Sequence, residues 1–125
     1  NVANPELAVA ISEAGGLGIT NISMYPDFDE FRKTLKWMRS QTSKPLAVNI
    51  SMIPNVDMGD KLTTYINICG EEGINVIETS GKDPVDIVPL IHSFGMKCVH
   101  KVPMAKHALR AQKSGVWRKG ERHDE

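Results

Sequence analysis

One rhythm constrains this chain more than any other feature: a helix-like stretch closes on glycine, and a short, β-rich apolar run follows. It appears as Glu13-Ala14-Gly15-Gly16-Leu17-Gly18-Ile19-Thr20, as Glu72-Gly73-Ile74-Asn75-Val76-Ile77-Glu78, and as Phe94-Gly95-Met96-Lys97-Cys98-Val99-His100. It starts once more at Ser114-Gly115-Val116. Glycine just past a helix takes the left-handed conformation without a Cβ penalty, so each one reads as a helix stop. The runs that follow are short and rich in Val and Ile, as strands covered on both faces should be. Alternation of helix and strand implies parallel strands joined by crossovers, and hence an α/β fold.

Four strands are expected, near residues 17–22, 46–50, 75–79 and 97–102. The first helix opens with Asn4 as N-cap, Pro5 at N1 and Glu6 in the first turn, with an apolar stripe of Leu7, Ala10, Ile11 and Ala14. The second runs from about Asp29 to Ser40 and turns Phe31, Leu35 and Met38 inward; Lys44-Pro45 then leads into Leu46-Ala47-Val48-Asn49-Ile50. The third starts near Asp60 with Leu62, Tyr65, Ile66 and Cys69 on one face. The fourth is short and takes Pro89 in its first turn, because an interior proline costs about 3 kcal/mol. A fifth is expected from Met104 to Lys113. A full (β/α)₈ barrel needs about 250 residues, and this chain has 125. Alternation alone therefore leaves a small flavodoxin-like sheet and part of a barrel both open.

Charge excludes some partners. Lys plus Arg and Asp plus Glu are 15 each, so no global field favours nucleic acid or an anionic membrane. No apolar run approaches the roughly 18 residues of a membrane span and no signal peptide is visible, which reads as cytoplasmic. Cys69 and Cys98 lie in apolar runs without metal-binding spacing and read as buried thiols. The first residue is Asn1, so the start reads as processed or incomplete.

In an α/β fold, chemistry gathers at the C-terminal ends of the strands. Those ends are Asn21-Ile22-Ser23, then Asn49 with Ser51-Met52-Ile53-Pro54, then Glu78-Thr79-Ser80-Gly81, then His100-Lys101-Val102-Pro103. Asn49 interrupts an otherwise apolar strand, where its amide suits the edge of a flat heterocycle or loose backbone ends. Lys101 places an ammonium where it meets an electron-rich ring or an anion, or else leaves the sheet as a surface lysine. Glu78 reads as a carboxylate paired with a neighbouring strand or capping a loop, with a catalytic role as the alternative. His92 reads as a helix-face residue, His107 as one that packs on its helix or approaches the site from behind Lys101, and His123 as part of a solvated tail. Gly15-Gly16-Leu17-Gly18 closes a helix and opens a strand, the reverse of a dinucleotide-binding loop. No Walker motif, nucleophile elbow, metal-ligand cluster or basic-aromatic stretch is present.

Several of these stretches resemble the nitronate monooxygenases. They are Val2-Ala3-Asn4-Pro5-Glu6-Leu7-Ala8 with Ser12-Glu13-Ala14-Gly15-Gly16-Leu17-Gly18, an opening shared with the flavin-dependent enoyl-acyl-carrier-protein reductases. Lys44-Pro45-Leu46-Ala47-Val48-Asn49-Ile50, Val76-Ile77-Glu78-Thr79-Ser80-Gly81-Lys82-Asp83-Pro84, and His100-Lys101-Val102 with Lys106-His107-Ala108-Leu109-Arg110-Ala111 favour the monooxygenases. The resemblance covers about residues 2–116. It implies part of an FMN-dependent TIM barrel, roughly its strands 2–5 with helices 1–5, oxidising small alkyl nitronates with O₂. It also implies that Asn49 and Lys101 contact the flavin. The family's first strand and its Gly-His segment, which supplies the catalytic histidine, have no counterpart here, nor do the later phosphate-binding loops. The expectation is therefore a barrel domain over residues 1–116, truncated before the sixth strand, with a charged tail over 117–125 that forms no strand. Such a fragment should be inactive, bind FMN weakly or not at all, and self-associate through open strand edges. The alternatives are a relative of the enoyl reductases or a non-catalytic flavodoxin-like module.

Overall fold

The computed structural model describes residues 4–52, 58–102 and the pair Trp117–Arg118. Helix α1 (Pro5–Glu13) leads to strand β1 (Gly18–Asn21), and a 3₁₀ turn (Ile22–Met24) precedes helix α2 (Phe28–Gln41). Strand β2 (Leu46–Met52), helix α3 (Asp60–Glu71), strand β3 (Val76–Gly81), helix α4 (Val88–Ser93) and strand β4 (Lys97–Lys101) follow in turn. A short strand β5 (Trp117–Arg118) is the last strand among the described residues.

All neighbours in the sheet are parallel, and the order is β1-β2-β3-β4-β5. That order decides between the two architectures the alternation left open. A flavodoxin-like sheet reverses direction and places its first strand inside, in the order 2-1-3-4-5. Here each strand lies beside its predecessor without reversal, as in a (β/α)₈ barrel.

The helix ends follow local chemistry. Asn4 Oδ1 accepts from the Leu7 amide at 2.7 Å, and Asp27 Oδ1 accepts from the Asp29 and Glu30 amides, so both caps satisfy otherwise orphaned donors. The helix-stop glycines Gly15, Gly73 and Gly95 have φ of 97°, 83° and 77°, as the sequence rhythm requires. Proline 89 sits in the first turn of α4. Helix α2 buries Phe31, Leu35 and Met38 completely, and α3 buries Tyr65, Ile66, Ile68 and Cys69. Tyr25, Phe28, Phe31 and Tyr65 form an aromatic cluster between these helices, and the Tyr65 hydroxyl donates to the Tyr25 carbonyl at 2.7 Å. Both cysteines are free and buried.

Two expectations are corrected. The stripe of α1 is not Leu7, Ala10, Ile11 and Ala14: Leu7 is half-buried and the other three are exposed, while Ala8 and Ser12 face the sheet. The reason is close approach. A Cβ on Gly18 would stand 1.9 Å from the Ala8 carbonyl oxygen, so only small residues fit this contact. Ser12 seals it, donating to the Pro45 carbonyl at 2.7 Å and accepting from the Gly18 amide at 2.9 Å. The second correction is at Trp117–Arg118, expected to lie in a tail without strand structure. These two residues pair with β4 in the register Val99↔Trp117 and His100↔Arg118. A strand edge favours pairing of its backbone N–H and C=O groups, and satisfying them outweighs the mixed polarity of the segment. The fifth helix expected over 104–113 lies outside the described residues.

Candidate functional site

The two-residue period of a strand sorts its side chains onto two faces. On β2, Leu46, Val48, Ile50 and Met52 join the core with the helices, as do Ile77 on β3 and Cys98 on β4. The residues between them belong to the opposite face: Ala47, Asn49 and Ser51, then Val76, Glu78 and Ser80, then Lys97, Val99 and Lys101. On β1 this second face takes Ile19 and Asn21. A barrel turns this face toward its axis.

Strand register then brings polar groups from four strands together at the C-terminal end of that face. Asn21 is level with Asn49, and Asn49 with Glu78; beyond them Ser51, Ser80 and Lys101 form the next row. The contacts are direct. Asn21 Nδ2 donates to Asn49 Oδ1 at 2.9 Å, and Asn49 Nδ2 donates to Glu78 Oε1 at 2.8 Å. Ser51 Oγ donates to Asn49 Oδ1 at 3.0 Å, and Ser80 Oγ donates to Ser51 at 3.2 Å. Lys101 Nζ lies 3.7 Å from the same Glu78 oxygen, an ion pair, with its side chain 49% exposed against 18% for Glu78. The ammonium can therefore turn toward a ligand without leaving its carboxylate.

Asn49 and Lys101, the two residues singled out from sequence, are thus joined through Glu78, which takes the strand-pairing role expected of it. Asn21, Ser51 and Ser80 were visible only as polar strand ends; what unites them is register, which no single strand reveals. The strand-end list also mixed the two faces. Thr79 and His100 lie on the helix side, fully or nearly fully buried, with Thr79 Oγ1 2.8 Å from His100 Nδ1. His100 is therefore no part of the polar rows, although it adjoins Lys101 in sequence. Beside it, burial pushes the Cys98 thiol up to about 12, against a smaller opposing effect of its hydrogen bond with Thr79. His92 is exposed on α4, and His107 and His123 lie outside the described residues.

Clefts open elsewhere on the described residues. At the N-terminal end of the strands, Gly16, Leu17, Pro45, Val76, Lys97 and Val99 line an open one of about 480 Å³. A narrower one of about 160 Å³ opens beside Met52, Met58, Leu62, Lys82, Pro84 and Ile87. Neither is lined by the polar rows. Among the described residues no cluster of His, Cys, Asp or Glu could hold a metal ion, and no helix is long and apolar enough to cross a membrane.

Comparison with known proteins places this arrangement. A family model described as nitronate monooxygenase matches residues 1–114. The structure of FabK from Thermotoga maritima superposes with a TM-score of 0.78 at 29% identity, covering 92% of this chain and 35% of that one. A nitroalkane oxidase from Streptomyces ansochromogenes superposes with a TM-score of 0.75 at 19% identity, covering 92% of this chain and 41% of its own, a likeness of fold. This chain thus spans well under half the length of the TIM-barrel proteins it matches, and its sheet is part of such a barrel.

Proposed function

The chain belongs to the nitronate monooxygenase family, and we propose that its polar rows are the share it contributes to an FMN site for oxidising small alkyl nitronates. The observation that carries this reading is the continuous contact from Asn21 through Asn49 and Glu78 to a half-exposed Lys101.

The donor set fits a flavin ring. An isoalloxazine presents acceptors and a donor along one edge and gathers negative charge when reduced. Asn49 has used both lone pairs of Oδ1 and one of its two N–H groups, which leaves one N–H for a ring acceptor. Lys101 supplies a positive charge whose partial exposure lets it meet a ring carrying negative charge, or the anionic substrate. When bound, FMN would accept electrons from the nitronate and pass them to O₂. The protein side of that chemistry is orientation and charge: Asn49 fixes the ring edge, and Lys101 favours the form with more negative charge. The share proposed here is ring contact alone, so weak binding and no turnover by this chain in isolation are expected.

Among the described residues β1 lies at one edge of the sheet, and the proposal extends to self-association there, because a sheet edge is a template for further pairing. Self-association through it would be read by sedimentation. A second reading keeps the flavin and changes the substrate to an enoyl thioester with a nicotinamide donor, as the shared opening sequence suggests. Flavin reduction under a nitronate, compared with NAD(P)H, separates the two in a full-length relative.

The direct test is titration of this chain with FMN, following flavin fluorescence. Weak saturable binding is expected, lowered about tenfold by Lys101→Ala and by Asn49→Ala, the effect of losing one charge-assisted or buried hydrogen bond. Binding indifferent to both substitutions, or no binding at all, would remove the polar rows as the flavin site.

A further inference from the structure

We infer that Glu78 is a positioning residue: it terminates a one-way hydrogen-bond relay that dictates which edge of the Asn49 amide is offered to a ligand, and it tethers Lys101 beside that amide. The inference rests on the reading of Asn49 and Lys101 as ligand contacts, and it adds the group that sets their orientation.

An asparagine amide has two faces of opposite polarity, and either can in principle point at a neighbour. Here a backbone group removes the choice. The Ser23 amide donates to Asn21 Oδ1 at 2.9 Å, and a backbone N–H can only donate. Asn21 must therefore turn its Nδ2 toward Asn49, which must answer with Oδ1, at 2.9 Å. That commits Asn49 Nδ2 to the third strand, where the partner at 2.8 Å has to be an acceptor. Glu78 meets the requirement with a carboxylate oxygen, and the same oxygen lies 3.7 Å from Lys101 Nζ. The Ser80 hydroxyl donates to Ser51, and Ser51 donates to Asn49 Oδ1, so the second row also requires the Asn49 oxygen to be the acceptor there. In the first row donation thus runs from β1 to β3 with the carboxylate as its sink, while the second row runs from β3 to β2 and ends on the same Asn49 oxygen. Asn49 is only 7% exposed, so a reversed or unpaired amide would be costly and the relay is stiff.

Glutamine and alanine at this position separate the two duties. Glu78→Gln still offers the same oxygen to Asn49 but removes the negative charge beside Lys101, so it keeps the relay and loses the ion pair that tethers it. Glu78→Ala loses both.

The experiment records the side-chain amide signals of Asn21 and Asn49 by NMR in the ¹⁵N-labelled chain without ligand, and then FMN affinity. Glu78→Ala should move the Asn49 signals strongly and those of Asn21 detectably, while Glu78→Gln leaves both near their wild-type positions. FMN affinity should fall about tenfold or more in Glu78→Ala, with Glu78→Gln between it and the wild type. Asn49 signals that stay in place in Glu78→Ala, or that move equally in both variants, overturn the relay. Should Glu78→Ala fail to fold, Asn21→Ala tests the relay from its other end and must move the Asn49 signals; unmoved signals overturn it. The NMR readings need no flavin. Wild-type chain that shows the relay but binds no FMN therefore sinks the flavin reading alone, and FMN binding with amide signals indifferent to Glu78 sinks the relay alone.

Discussion

Gly18→Ala is the perturbation whose cost the structure defines most sharply. Gly18 is not at positive φ, so alanine brings no backbone strain and the effect isolates one contact. Its Cβ would lie 1.9 Å from the Ala8 carbonyl oxygen, 2.6 Å from that carbonyl carbon and 2.7 Å from Ser12 Oγ. The first two are backbone atoms of α1, which cannot swing away as a side chain tip does. To restore an ordinary contact, helix and strand must separate by roughly 1.5 Å, at an overpacking cost of about 1–3 kcal/mol. That separation also stretches the buried bonds of Ser12 to Gly18 and Pro45, now 2.9 and 2.7 Å, and loosened buried partners cost about another 1–3 kcal/mol. The expected loss is about 2–6 kcal/mol, against a total of roughly 5–15 for a folded domain. Ser12→Ala is the control: it loses the two bonds without the clash and should cost about 1–3 kcal/mol. Urea unfolding followed by circular dichroism reads both. With a slope of about 1–3 kcal/mol per molar, Gly18→Ala should lower the midpoint by that loss divided by the slope, and by more than Ser12→Ala. Equal midpoints for Gly18→Ala and wild type would refute the close-approach account of why α1 turns Ala8 and Ser12, rather than Leu7 and Ile11, toward the sheet.

Two further outcomes are expected away from the site. Desolvation raises the Glu72 carboxyl, but hydrogen bonds from Arg32 at 2.6 Å and from Lys36, with Nζ at 3.1 Å, together outweigh it and hold the group below its ordinary value near 4.5. A depressed folded value stabilises the fold above the unfolded value and loses that contribution as pH falls through the folded one. The difference in urea midpoint between wild type and Glu72→Gln should be largest near neutral pH and shrink below about pH 4.5; a difference that grows on acidification would contradict the pairing. Burial raises both thiols, Cys98 to about 12 and Cys69 further still, so neither should react with a disulfide reagent at pH 8 until urea unfolds the chain. Rapid modification of the native protein would show that these side chains reach solvent.

What the sequence disclosed, and what it withheld, follows from the range of each interaction. The α2 stripe of Phe31, Leu35 and Met38 was legible because large apolar residues at helical spacing have one low-energy destination. The α1 stripe misled for the same reason in reverse. Leu7 and Ile11 carry the hydrophobic signal, but contact with β1 is decided by size, and the partner that decides it, Gly18, lies beyond the helix. Asn49 stood out as a polar interruption of an apolar strand. Its partners Asn21 and Glu78 lie 28 and 29 residues away in sequence and meet it only through strand register. The pairing of Trp117–Arg118 was hidden by composition, since a free strand edge can recruit a segment that does not itself read as a strand.

Register also explains why the polar rows can exist on a sheet without collapsing it. A strand slipped by one residue exchanges its two faces. On β3 that would bring Ile77 and Thr79 to the position of Glu78, and on β4 it would replace Lys101 with His100. The slip is opposed from the other side of the sheet, where Leu46, Val48, Ile50, Ile77 and Cys98 are completely buried against the helices. Moving these five side chains toward an open face would cost roughly 1.5–3 kcal/mol for each large one, far more than any rearrangement of the polar rows returns. The apolar face therefore fixes where Asn21, Asn49, Glu78 and Lys101 meet, and the polar face is released from carrying stability. That division leaves Asn49, Glu78 and Lys101 available for the ligand contact proposed for them, while Thr79 and His100, adjacent to them in the chain, belong to the packing that holds them in register.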